Sequence, residues 1–125
     1  MANEISINCT VKLVNGDLND PGPNIGTNQI TQALQLLWKD VVTLTAGADT
    51  AIAPAGLTTF GICYLVNLDQ TNYVEWGPDS GGAIKIVGQL NPNDSPAVFR
   101  LSPGITLRMK AHTANCKVVI CIYNN

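Results

Sequence analysis

A serine stands at position 80 between Asp79 and the pair Gly81-Gly82, in the stretch Trp76-Gly77-Pro78-Asp79-Ser80-Gly81-Gly82. That setting suits a nucleophilic hydroxyl on a tight loop, which needs a histidine to take its proton, an acid to orient that histidine, and donors for the oxyanion. The chain has one histidine, His112, at the start of Ala111-His112-Thr113-Ala114-Asn115. Asp17, Asn19 and Asp20 present oxygens that suit calcium, and Cys9, Cys63, Cys116 and Cys121 present thiols that suit zinc. Tyr73 and Trp76 present aromatic faces on which a sugar ring would stack.

Each of these sets has a plainer reading. In the chymotrypsin-like order the histidine precedes the serine, whereas His112 follows Ser80, and Pro78 separates Gly77 from Asp79 where that family has Gly-Asp-Ser-Gly-Gly. Pro, Asp, Ser and Gly each favour turns for separate physical reasons, so Gly77 to Gly82 reads as a hairpin loop rather than a catalytic one. The D-x-N-D spacing of Asp17 to Asp20 lacks the rest of an EF-hand loop. None of the cysteine spacings is the close pair of a structural zinc site, so all four read as small buried hydrophobes, with a disulfide as the lesser alternative. No P-loop and no G-x-G-x-x-G occurs. No catalytic residue, cofactor or metal is expected, and Tyr73, Trp76 and Trp38 are the candidates for an interaction surface.

The elements that must position these residues follow from periodicity. Glu4 to Val14 alternates apolar and polar residues and predicts a half-buried strand ending at Asn15-Gly16. Asp17 to Gly26, with Asp20-Pro21-Gly22-Pro23-Asn24, predicts a loop. Ile30, Ala33, Leu34, Leu37, Trp38 and Val41 fall at helical spacing, so one short helix is read within 29–40. Val41 to Thr45 predicts a strand, and Ala46 to Gly56 mostly loop. Phe60 to Leu68, Tyr73 to Trp76, Ile84 to Leu90, Ala97 to Leu101, Leu107 to Ala111 and Cys116 to Tyr123 then predict short strands between turns. Their lengths and spacing are those of an antiparallel sandwich or small barrel.

Composition narrows the function. At 125 residues the chain is expected to form one all-β domain, with residues 1–26 as an extended N-terminal strand and arm. Charged residues are only 13% of the chain, which leaves much of the surface uncharged or covered by neighbours. The net charge is -2 with no cluster of Lys and Arg, which argues against gripping nucleic acid. No apolar run approaches the about 20 residues needed to cross a bilayer, and Met1-Ala2-Asn3-Glu4 lacks a signal-peptide pattern, so synthesis in a cytoplasm and no membrane partner are expected.

Three segments carry a likeness. Leu65-Val66-Asn67-Leu68-Asp69-Gln70-Thr71-Asn72-Tyr73-Val74-Glu75-Trp76-Gly77, Phe99-Arg100-Leu101-Ser102-Pro103-Gly104 and Lys110-Ala111-His112-Thr113-Ala114 resemble small virion structural proteins of tailed bacteriophages. The likeness covers most of residues 58–125 and, loosely, the first 30. It implies an antiparallel β-sandwich of jelly-roll type, with Gln29 to Leu34 and Val41 to Thr45 as strands and the helical spacing accidental. It also implies a capsid decoration (cement) protein in the virion, made in the host cytoplasm. Such a protein works as a homo-oligomer, with a trimer as the first expectation, against the major capsid protein or other virion proteins. A tail, neck or fibre component is the alternative, and a carbohydrate-binding module using Tyr73 and Trp76 is the reading from another class.

Overall fold

Period-two alternation becomes antiparallel sheet in the computed structural model, which describes residues 5–10, 13–20, 27–30 and 36–124. Among the described residues there is no helix. The chain divides into two units, Met1–Ala33 and Leu34–Asn125.

In the N-terminal unit, β1 (Ile5–Asn8) pairs antiparallel with β4 (Thr27–Ile30), placing Ile5 opposite Ile30. β2 (Leu13–Asn15) pairs with β3 (Leu18–Asp20) around Gly16-Asp17, where Gly16 takes a φ of 59°. The expected single strand over Glu4 to Val14 is therefore interrupted, since Cys9 and Thr10 are outside any strand. Leu18–Asp20, expected as loop, is strand: Asn15 and Leu18 flank a two-residue turn, and a glycine with positive φ matches that turn to the twist of its strands. The rest of that expected loop, 21–26, lies outside the described residues.

The C-terminal unit holds β5 (Leu37–Leu44), β6 (Asp49–Ala51), β7 (Phe60–Asn67), β8 (Val74–Ser80), β9 (Ala83–Ile84), β10 (Gly88–Leu90), β11 (Ala97–Arg100), β12 (Leu107–Ala111) and β13 (Cys116–Asn124). One sheet has the order β11-β7-β13-β5, and the other β10-β8-β12-β6 with β9 paired to β8. Their ladders are antiparallel, with one isolated parallel bridge between Ala46 and Ala111. Apart from the β8-β9-β10 run, each successive strand passes from one sheet to the other.

One hydrophobic cluster draws from both sheets. Leu44, Leu65, Val118 and Ile120 enter it from the first, and Val74, Leu90, Leu107 and Met109 from the second. Full burial of a side chain of this size stabilises by about 1.5–3 kcal/mol, so this shared core holds the sheets together. Cys63, Cys116 and Cys121 are buried free thiols, and burial pushes the Cys63 thiol up to about 12. Cys9 departs from expectation in being exposed. Cys116 and Cys121 lie five residues apart on β13 and face opposite sides, Cys116 into the shared core and Cys121 opposite Tyr64 and Lys39.

Four further expectations are corrected. Leu37 to Asp40, inside the predicted helix, belongs to β5, whose ladder runs along the buried β13 from Leu37↔Tyr123 to Leu44↔Cys116. Burial against that strand outweighs weak local spacing. Gln29 and Ile30 are in β4, and 31–35 lie outside the described residues. Asp49–Ala51, expected as loop, is paired to β12. Gly77 to Ser80, expected as turn, continues β8, so the turn contracts to Gly81-Gly82. Ile84 to Leu90 is not one strand but β9 and β10 separated by Lys85 to Val87.

Candidate functional site

The first resembling segment is a loop closed by its own side chains. Asn67 ends β7, and its amide donates to the carbonyls of Asn72 at 2.9 Å and Leu90 at 3.0 Å, while its oxygen accepts from the Asp69 amide at 2.9 Å. The Asp69 carboxylate accepts the backbone N–H groups of Thr71 at 2.8 Å and Asn72 at 2.6 Å. Those backbone donors, Asn72 first, hold the Asp69 carboxyl below the usual carboxylate range. Asn and Asp are suited to this because a short polar side chain can replace a backbone partner two or three residues away.

The other two segments are also connections between the sheets. Ser102-Pro103-Gly104-Ile105 joins β11 to β12 through a turn in which the Ile105 N–H donates to the Ser102 carbonyl at 3.2 Å and Gly104 has a φ of 80°. Proline second and a positive-φ glycine third make this a type II turn. His112 to Asn115 joins β12 to β13, and Asn115 accepts the Ala46 N–H at 2.9 Å. All three segments therefore lie where the chain changes sheet.

Tyr73, Trp76 and Trp38 do not form one platform. Trp76 is on β8 and stacks flat on Phe99 of β11, with ring centres 4.7 Å apart and planes at 4°. Its indole also lies over Gly88, where any Cβ would collide with the ring. Trp38 is on β5 opposite Ile122, and both tryptophans pack against the shared core. Tyr73 precedes β8 and stacks on His112, with ring centres 4.8 Å apart and planes at 21°. Nδ1 of His112 is 3.5 Å from Glu75 Oε1, so the pair is ionic when the imidazole is protonated.

Ser80 and His112 stand at opposite ends of the β8–β12 pair. Ala111 is opposite Val74 and Leu107 opposite Pro78, with Ser80 beyond. Ser80 is six residue steps along the strand from Val74, about 20 Å at about 3.3 Å per step, far outside hydrogen-bond reach. Ser80 instead pairs with Ala83 across the turn.

Asp79, which made the stretch resemble a nucleophile loop, serves a charge network. Arg108 Nε donates to Asp79 Oδ1, and Arg108 Nη1 donates to Asp49 Oδ1 at 3.1 Å. Asp49 Oδ2 accepts the Ile84 N–H at 2.6 Å. The network ties β6, β8, β9 and β12 together on the outer side of their sheet. The Arg108 hydrogen bond draws the Asp79 carboxyl below the usual carboxylate range, and the two carboxylates, Asp79 first, raise Arg108. Sequence reading missed this cluster because its members are 29 and 59 positions from Arg108; the only local signal is that Arg108 alternates with the buried Leu107 and Met109.

Among the described residues, no group of His, Cys, Asp and Glu is placed to hold a metal ion. No family model matches the chain, and no curated protein matches it.

Proposed function

We propose that this chain is a non-enzymatic structural protein of a phage particle, most of all a capsid decoration protein that binds the shell as a homo-oligomer, with a trimer as the first form to test. We propose also that its C-terminal unit is a jelly roll. Counting β5, β6, β7, β8, β10, β11, β12 and β13 as eight strands, the sheets have orders 1-8-3-6 and 2-7-4-5, which supports two interlocked Greek keys. The observation that carries the reading is that all three resembling segments lie at changes of sheet. The likeness thus falls on residues that direct the chain's path, not on scattered surface positions. A protein of this kind acts through buried area: contacts made only in the assembled shell stabilise that shell by mass action.

Heating particles assembled with and without the protein tests this. Particles lacking it should release their contents at a lower temperature, and equal heat resistance would overturn the decoration role. Copy number separates decoration, with hundreds per particle, from a neck or tail part with a dozen or fewer.

A further inference from the structure

The outer side of the β11-β7-β13-β5 sheet is unusual for a face turned from the core. Register places Val66, Val119 and Val41 in one row across three strands, and Val98 and Tyr64 in the next. Leu37, Val41 and Val98 are 56%, 53% and 49% exposed, more than isolated surface apolar residues require. The same face carries Lys39 and Lys117 and, among the described residues, no carboxylate, in a chain with nine acidic residues against seven basic ones. Asp49 and Asp79 gather instead around Arg108 on the other sheet.

We infer that this face docks a different protein whose mating surface is apolar and bears carboxylates. The inference rests on the virion reading and names the docking face and the chemistry of the shell surface that receives it. Charge complementarity selects the occupant, because acids opposite Lys39 and Lys117 give attraction and register. A second copy placed face to face would add the Lys39 and Lys117 charges to their own kind. Edge pairing through β5 is also disfavoured, since the Asp40 carboxylate accepts the Val41 N–H at 2.8 Å and Lys39 and Asp40 place charge mid-strand.

The test adds the full chain to purified shells assembled without it and measures occupancy. Lys39→Glu and Val41→Glu should each lower occupancy at least tenfold, Val98→Glu should do so from the opposite edge strand, and added salt should weaken the wild type. Lys85→Glu, on the other sheet's side, should bind as the wild type. Thermal melts of the free variants confirm that each is folded. Wild-type chain that does not bind shells overturns the virion reading together with this one. Wild-type binding that the face variants match overturns only this inference, as does a dimer in sedimentation velocity that Val41→Glu dissociates.

Discussion

Gly88 and Gly77 are positions where a single methyl group is decisive. A Cβ at Gly88 meets the Trp76 indole, and one at Gly77 meets the carbonyl of Lys85, whose segment runs beside β8 there. Gly88→Ala and Gly77→Ala should each destabilise by about 1–3 kcal/mol, read as a lower midpoint in urea, with Gly77 the costlier because backbone must move. Asp79 and Asp69 add a pH dependence. Both folded carboxyls lie below their ordinary range, Asp79 through Arg108 and Asp69 through backbone N–H groups. A depressed carboxyl contributes stability that is present above its unfolded value of about 3.9 and is lost as pH falls through the folded value. The melting temperature should therefore fall below about pH 4, and Asp79→Asn should flatten that fall while lowering stability at neutral pH.

Turn chemistry sets most connections between elements, and there the sequence was readable. Gly81 and Gly82 take φ values of 65° and 88° between Ser80 and Ala83, the geometry of a two-residue hairpin turn. Gly81→Asn should be tolerated, since asparagine adopts positive φ, whereas Gly82→Val should cost at least about 1–2 kcal/mol in urea unfolding. Asn67→Ala should be worse than a surface change. It removes donors to Asn72 and Leu90 and the acceptor for Asp69, so a loss of about 1–3 kcal/mol is expected at the loop that turns β7 into β8. Strand boundaries were less legible. Pro78 and Asp79 look like turn residues, yet they continue β8 because Leu107 lies opposite Pro78, the Thr106 carbonyl accepts the Asp79 N–H, and the Pro78 carbonyl accepts the Lys85 N–H. Leu37 to Asp40 has helical spacing, yet pairs with β13, a partner about 80 positions away that no local window contains.

Across the whole molecule, the four cysteines report on folding. Cys9 is exposed and the other three are buried, so a thiol reagent should modify one group in the native protein and four in denaturant. Reaction of two or more native thiols would contradict the burial of Cys63, Cys116 or Cys121. The sequence alone determined a mainly β chain, where most strands of residues 58–125 lie, and turns such as Ser102-Pro103-Gly104, because period-two alternation and turn preferences are local properties. Only the tertiary structure decided what those strands enclose. It placed Trp38 and Trp76 against the core, joined Asp49, Asp79 and Arg108, and left an apolar, cationic face outside one sheet. Those outcomes depend on which strand lies beside which, and that is set by burying one shared core between two sheets, a condition no single segment contains.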